Sequence, residues 1–101
     1  MSADISLKDV LDAVTQVYGV SNVDLKSARR TAGLIEPRHV AFYLATRLTL
    51  RSSLQIGVAL NRDHATILHG RNRVAALLRE DEALAERVLS CELAARAFAM
   101  L

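Results

Sequence analysis

Residues 62–73 read Arg-Asp-His-Ala-Thr-Ile-Leu-His-Gly-Arg-Asn-Arg and are the most informative part of the chain. It opens with polar side chains of several hydrogen-bonding types and then takes helical spacing, with Ile67 and Leu68 facing inward. Arg71 and Arg73 follow on the later turns. Polar groups at the start of a helix can meet base edges in the major groove, and basic residues further along can meet phosphates. The stretch therefore has the layout of a recognition helix.

The residues before this stretch complete a helix-turn-helix. We expect a short helix over Leu54–Leu60, capped by Ser52 or Ser53, and a longer helix over about Asp63–Arg79. Asn61 and Arg62 form the turn between them, and Gly57 leaves room for the two helices to approach closely. The expected buried contacts of this pair are Ile56, Leu60, Ile67 and Leu68.

Apolar spacing and helix-end residues predict the rest of the architecture. The expected elements are a helix over Ile5–Tyr18 ending at Gly19, a short helix through Leu25 capped by Ser21 or Asn22, a basic loop over 26–31, a helix from Pro37 to about Thr49, and a last helix over about 81–100. Gly33 is expected to break regular structure before Pro37. The prediction is an all-α, compact domain of about five to six helices that spans residues 1–101 without a linker or repeat.

Charge is distributed unevenly along the chain. The net charge is +2, but residues 26–73 carry nine basic groups against two acidic ones, whereas the flanking segments are both acidic. Of the 13 basic residues 11 are arginine, the side chain suited to bidentate contact with phosphate and guanine. The central segment therefore indicates an anionic partner such as nucleic acid, with a merely solvated basic surface as the alternative.

Three stretches resemble the C-terminal DNA-binding domain of the bacterial replication initiator DnaA. The strongest is Ile56–His69, with its Arg-Asp-His core; Glu36–Ala45 is similar to the family's long helix, and Leu25–Thr31 to its basic loop. The resemblance covers roughly residues 5–80. It implies a Trp-repressor-like helical domain that binds a short, asymmetric box in duplex DNA through the major groove. It also implies that an arginine of the basic loop enters the adjacent minor groove.

The resemblance assigns roles to individual residues of this chain. The implied major-groove residues are Arg62, Asp63, His64, Ala65 and Thr66. The implied minor-groove residue is Arg30. The implied contacts to the DNA backbone come from Lys26, Arg29, Arg38, Ser53, Leu54 and Arg71.

Three residues depart from the family pattern. Ala65 stands where Thr is usual, so a hydroxyl is lost while a methyl remains. Leu54 stands where Pro is common, and Gly70 replaces a small Ala or Ser at a cost of about 1 kcal/mol relative to Ala. Because of these departures, the preferred DNA box can differ from that of the family, but we still expect the chain to bind DNA.

The residue chemistry leaves some alternatives open. Asp63 can accept a hydrogen bond from cytosine, or it can act only as the cap of the recognition helix, or it can do both. Arg30 can enter a narrow minor groove or belong to a solvated loop. His69 is expected to be packed or at the surface and not to contact DNA, whereas His39 has no assigned role.

Other classes of function find little support. None of the four glycines is followed by Lys, so there is no phosphate-binding P-loop, and no His-Glu-x-x-His metal motif occurs. Cys91 is the only cysteine, which excludes an internal disulfide and a cysteine-based zinc site. No signal peptide and no membrane-crossing run are apparent. We therefore expect a non-enzymatic, cytoplasmic, nucleoid-associated protein without cofactor, metal or bound nucleotide.

The last helix predicts a second interaction. Leu84, Val88, Cys91, Ala95 and Phe98 form one apolar stripe, and Leu89, Leu93, Met100 and Leu101 extend the apolar surface around the helix. A helix that is apolar over much of its circumference is buried on more than one side. The alternatives are a helix that closes the core, a homodimer contact and a contact with a regulatory protein.

Three functions remain compatible with the sequence. The first is a DNA binder that regulates transcription or replication from DnaA-box-like sites without an ATPase domain of its own. The second is the excised DNA-binding domain of a replication initiator. The third, from a different class, is a helical adaptor whose main partner is a protein bound through the last helix.

Overall fold

The computed structural model describes residues 4–101, which contain six α-helices and no strand. The helices are α1 (Leu7–Tyr18), α2 (Asn22–Lys26), α3 (Ala32–Leu48), α4 (Ser53–Leu60), α5 (His64–Leu77) and α6 (Glu82–Ala99). This confirms the predicted all-α class and the number of helices.

Local capping explains where most of these helices begin. Ser6, Ser21 and Ser52 each accept a hydrogen bond from the backbone amide three residues later, and that later side chain accepts a bond from the serine amide in return. These reciprocal pairs satisfy amides that have no partner within the helix. Gly19, with φ of +69°, ends α1 in the left-handed conformation that glycine adopts without strain.

The third helix starts earlier than its sequence predicts. It begins at Ala32, so Gly33 does not break it, and Pro37 lies inside it and not in its first turn. Proline cannot donate the bond that would reach the Gly33 carbonyl, but Gly33 is exposed and solvent can satisfy that carbonyl. Leu34 and Pro37 are buried, so packing holds this extra turn in place.

The helices stack around α3 in a fixed order. α3 packs against both α5 and α1, and α1 in turn packs against α6. The core contains Leu11 and Val14 of α1 and Leu84, Val88, Cys91 and Ala95 of the predicted α6 stripe, whereas Phe98 of that stripe is only partly buried. α5 thus packs mainly on α3, whereas α6 packs mainly on α1.

A polar network joins α6 to the centre of this stack. Arg87 on α6 donates two hydrogen bonds to the Glu36 carboxylate on α3, at 2.8 and 3.0 Å. The hydroxyl of Tyr18, at the end of α1, donates to the same carboxylate at 2.6 Å. These bonds hold the pKa of Glu36 below its usual range, with Arg87 as the largest cause.

Candidate nucleic-acid interface

The turn between α4 and α5 depends on one close backbone approach. The Arg62 amide donates to the Gly57 carbonyl at 2.8 Å, and Asn61 adopts a positive φ of 59° to reverse the chain. A Cβ atom at position 57 would overlap the Arg62 carbonyl oxygen. Gly57 is therefore required for the geometry of the turn, as its place in the sequence predicts.

The start of α5 presents polar side chains to solvent. Asp63 is the N-cap, and its Oδ1 accepts the Thr66 amide at 2.8 Å. This hydrogen bond is the largest cause that lowers the pKa of Asp63, so the carboxylate is charged at neutral pH. His64, Ala65 and Thr66 are all exposed beside it. The capping role suggested for Asp63 is thus present, and its side chain remains at the surface.

The opposite face of α5 packs closely against α3. Ile67, Gly70 and Val74 are the buried residues of α5, whereas Leu68 is only half-buried. A Cβ atom at position 70 would lie 2.9 Å from Cδ2 of His39 and would also overlap the Phe42 ring. Gly70 is therefore not simply a weak helix former, because its missing side chain lets α5 approach α3.

The basic loop over residues 26–31 is held by Arg38 of α3. The Arg38 guanidinium donates to the carbonyls of Asp24 and Ser27, each at 2.8 Å, and to the carbonyl of Arg29. It also donates to the Ser27 hydroxyl at 3.1 Å. Partial burial is the main cause that lowers the pKa of Arg38, with the nearby charge of Arg62 adding to it. Arg38 thus binds main-chain acceptors of the basic loop and also lines the open cleft.

Arg62 holds the same loop from the other side. Its guanidinium donates to the carbonyls of Lys26 at 3.2 Å and of Ser27, and also to the Leu60 carbonyl at 3.0 Å within its own turn. The expected roles of Arg62 at a base edge and of Arg38 at a phosphate thus differ from what their side chains do here. Together they attach the basic loop to the helix-turn-helix, and we call these two residues the loop clamp.

The remaining basic side chains of the loop lie outside the clamp. Lys26, Arg29 and Arg30 are exposed. Arg29 lies 3.7 Å from an Asp24 carboxylate oxygen, which is a loose ion pair at the surface. Arg30 makes no hydrogen bond or ion pair through its side chain with any residue in the range 4–101. Its guanidinium is therefore available to a ligand.

An open cleft of about 660 Å³ separates Arg30 from the start of α5. The basic loop, α3 and α5 form its walls, and its lining includes Arg30, His39, Phe42, Thr66 and His69. The His39 and His69 rings meet edge to face, with centroids 6.0 Å apart. Burial, followed by the charges of His69 and Arg73, lowers the pKa of His39 and favours its neutral form. Arg38 and Arg62 also line the cleft, so cationic side chains surround the neutral His39 and the Phe42 ring.

The other predicted contact residues lie on α4 and α5. Ser53 and Leu54 form the first turn of α4, where backbone amides lack helical partners, and the Leu54 side chain is exposed. Arg71 lies two turns into α5 and donates to the Asn72 side chain at 2.9 and 3.1 Å.

Comparison with known families identifies this arrangement. The family model described as "Bacterial dnaA protein helix-turn-helix" matches residues 7–74, which run from α1 through most of α5. The chain belongs to this DnaA family. The match supports DNA binding by the chain and describes a domain that is not catalytic. It ends before α6 begins.

The curated relatives are replication initiators that are much longer than this DnaA-type chain. It is 45% identical to the chromosomal replication initiator protein DnaA of Xanthobacter autotrophicus over 85 residues, which cover 83% of this chain and 17% of the relative. The DnaA of Bradyrhizobium sp. is 46% identical over 87 residues, which cover 85% of this chain and 18% of the relative. The chain therefore spans less than a fifth of the length of these relatives.

Sequence reasoning missed the anchoring points of the DnaA-type basic loop. The loop clamp binds main-chain carbonyls, most of all that of Ser27, and a carbonyl acceptor leaves no mark in the sequence. A partial signal was present, because the guanidinium of an arginine has several donors in a fixed fork and can bind more than one carbonyl. The same arginines were assigned to DNA by the resemblance to the DnaA family, Arg62 to the major groove and Arg38 to the DNA backbone.

The described part of the DnaA-type chain contains neither of two other kinds of site. Among residues 4–101, no three metal-ligating side chains come together. None of the helices in that range combines the length and the apolar character needed to cross a bilayer.

Proposed function

We propose that this chain binds duplex DNA at DnaA-box-like sites and regulates transcription or replication there. The observation that carries the proposal is the fixed spacing of two exposed elements, Arg30 on the basic loop and the His64–Thr66 segment that starts α5. The loop clamp holds the first element beside the second. A duplex whose sugar-phosphate backbone runs along the cleft would present its minor groove to Arg30 and its adjacent major groove to α5.

Each side chain at the start of α5 has a specific task in this proposal. Asp63 uses Oδ1 for capping, so its second carboxylate oxygen can accept from a cytosine amino group. His64 and Thr66 can bond base edges, and the Ala65 methyl can contact a thymine methyl. Ala65 stands where Thr is usual in the family, and its methyl group cannot form the hydrogen bond that a threonine hydroxyl can form. We therefore expect the base preferred by this residue to differ from the base preferred by the initiators.

Phosphate contacts supply most of the affinity in the proposal. Lys26 and Arg29 are exposed beside Arg30, and Arg71 extends the basic surface along α5. The free amides of Ser53 and Leu54 at the start of α4 can bind a phosphate, because a helix N-terminus attracts anions. The two arginines of the loop clamp act as positioning residues, which present Arg30 and do not themselves read bases.

The test is a selection from random duplexes followed by binding measurements on the enriched site. We expect one short asymmetric site to be enriched and to bind at least about a thousandfold more tightly than random duplex at the same salt concentration. Enrichment of no sequence, with equal affinity for all duplexes, would contradict sequence-specific binding. A bacterial genome-wide occupancy map would then show whether the sites lie at promoters or at an origin of replication.

The same experiments separate the other two candidate functions. An excised initiator domain would show occupancy at origins, whereas a stand-alone regulator would occupy promoters of a limited set of genes. A helical adaptor would show no enriched site at all. No cofactor, metal or nucleotide enters the proposal, and its place of action is the nucleoid in the cytoplasm.

A further inference from the structure

The outward face of α6 carries exposed leucines that nothing within residues 4–101 covers. The side chains of Leu84, Val88, Cys91 and Ala95 point into the core, whereas Leu89 and Leu93 are 55% and 59% exposed. Successive residues of a helix are rotated by a fixed angle, so Leu89 and Leu93 lie on the side of α6 opposite the buried stripe. Met100, 83% exposed, follows at the end of the helix.

Charged residues flank these leucines in a self-complementary order. Glu86, Leu89, Leu93 and Arg96 follow one another at spacings of three, four and three residues, so all four lie on the outward face. The order is symmetric about residue 91. When the helix direction is reversed, Glu86 takes the place of Arg96, and Leu89 takes the place of Leu93. Arg96 also contacts Glu92 of its own helix at 3.0 Å, and its guanidinium has donors left for a second carboxylate. A second copy, turned antiparallel, therefore presents the complement of this face.

We propose that the outward face of α6 pairs with the same face of a second copy in an antiparallel, two-fold symmetric contact. With the symmetry axis beside residue 91, Leu89 lies opposite Leu93 of the second copy. In the same register Glu86 lies opposite Arg96 of the second copy, and symmetry repeats both pairs. The contact is thus two leucine pairs enclosed by two ion pairs.

The position of α6 allows the dimer to bind two DNA sites. α6 packs mainly on α1 and α5 packs mainly on α3, so the outward face of α6 and the exposed start of the recognition helix belong to different parts of the fold. Two copies held together in this way bind two neighbouring sites with an effective concentration set by their spacing. This consequence for DNA rests on the proposed function, whereas the association itself does not.

The first test is sedimentation equilibrium of the free chain without DNA. Concentrations up to about 500 µM are needed, because one helix from each copy forms a small and therefore weak interface. We expect a reversible monomer–dimer equilibrium. Leu93→Glu is expected to raise the dimer dissociation constant at least about tenfold, since it places a charge in the centre of the contact. Thermal melting checks that the variant is folded.

A matched control comes from α4. Val58 is an apolar side chain that is 79% exposed, but it belongs to α4 and not to α6. Val58→Glu is therefore expected to leave the dissociation constant unchanged. A wild-type chain that stays monomeric at every concentration would overturn the proposal. A dimer weakened by Val58→Glu and not by Leu93→Glu would overturn it too.

The second test uses charge reversal to establish the register. Glu86→Arg and Arg96→Glu each create two like-charged pairs in the symmetric dimer, so each variant alone should dimerise several-fold more weakly than the wild type. In an equimolar mixture every reversed side chain faces an opposite charge in the other variant. The mixture should therefore form a heterodimer about as stable as the wild-type dimer. A mixture that associates no better than either variant alone would contradict the antiparallel pairing.

Discussion

The guanidinium groups of Arg38 and Arg62 donate to the same carbonyl oxygen, that of Ser27. Arg38 comes from α3 and Arg62 from the turn before α5, so one carbonyl of the basic loop connects two elements of the fold. Partial burial is the main cause that lowers the pKa of Arg38, and the repulsion between these two like charges adds to it. The arrangement persists because several further carbonyls accept from the two guanidiniums.

Arg62→Ala should loosen the basic loop and weaken specific DNA binding through Arg30. The variant loses charge-assisted hydrogen bonds to the loop, and we expect a decrease of about 1–3 kcal/mol in the free energy of unfolding. Hydrogen exchange of the amides of residues 26–31 in the free protein should become faster. Mass-spectrometric exchange measurements on the wild type and the variant check this.

A double-mutant cycle separates positioning from direct contact. If Arg62 acts by presenting Arg30, the loss of affinity caused by Arg62→Ala should nearly disappear in an Arg30→Ala background. The control is Arg73→Ala, an exposed arginine on α5, whose effect should add to that of Arg30→Ala. Full additivity of Arg62→Ala with Arg30→Ala, together with unchanged exchange rates in the loop, would show that Arg62 contacts DNA itself.

His64→Ala should weaken specific binding much more than binding to random duplex. His64 is exposed at the start of α5, where it can meet a base edge. The loss of one base contact costs about 1–3 kcal/mol on the specific site. Arg71→Ala is the comparison, because a phosphate contact is lost equally on both DNAs. Fluorescence anisotropy at fixed salt measures both, and equal losses for His64→Ala on the two duplexes would exclude the recognition role.

Arg30→Ala should cost most at sites with an adjacent A·T step. A narrow A·T-rich minor groove has an enhanced negative potential that attracts an inserted arginine. Replacing the A·T step with G·C should weaken DNA binding by the wild type. On that G·C duplex, Arg30→Ala should cause little further loss of affinity. Titrations of the wild type and the variant with both duplexes give the coupling energy between the Arg30 side chain and the A·T step. The same cost on both sites would place Arg30 outside the minor groove.

Two glycines should respond to alanine in opposite directions. Gly57→Ala brings a Cβ into the Arg62 carbonyl, and we expect it to destabilise the fold by about 1–3 kcal/mol. Gly33→Ala meets no atom within 4 Å at a helical position, so it should stabilise by about 0.5–1 kcal/mol. Urea unfolding measures both. If Gly57→Ala left the free energy of unfolding unchanged, the turn would be able to accommodate a Cβ atom at this position without a loss of stability.

The fold was predictable where the sequence repeats a strong periodicity. Apolar residues at helical spacing predicted α1, α5 and α6 to within about two residues, because burial of one face determines such helices. The predicted start of α3 was wrong because Gly33 and Pro37 weaken a helix locally, and tertiary packing of Leu34 outweighed that preference. Local propensity could not reveal a partner that lies far away in sequence.

The candidate site was predictable in its exposed part and not in its support. His64 and Thr66 were placed at the start of α5 by motif and periodicity, and the structure puts them at the surface there. Arg38 and Arg62 could not be assigned in the same way. Whether an arginine turns outward to a phosphate or inward to a carbonyl depends on the packing of segments that lie between 9 and 36 residues apart in the chain.

The contact between Glu36 and Arg87 should make stability fall in acid. Bonds from Arg87 and Tyr18 lower the pKa of Glu36 in the folded state below the value of about 4.3 typical of unfolded chains. The unfolded state therefore binds a proton first as the pH falls. The stabilising contribution is complete above that unfolded value and is lost as the pH falls through the folded one.

Glu36→Gln tests this contribution. At pH 7 we expect the variant to be less stable by about 1 kcal/mol, a modest figure because both partners are partly exposed and screened by solvent. The difference from the wild type should narrow below about pH 4, where the wild-type carboxylate also becomes neutral. Urea unfolding at pH 7, 5 and 3 provides the comparison, with Glu80→Gln, an exposed glutamate, as the control. A difference that stays constant across this range would show that Glu36 contributes through packing and not through its charge.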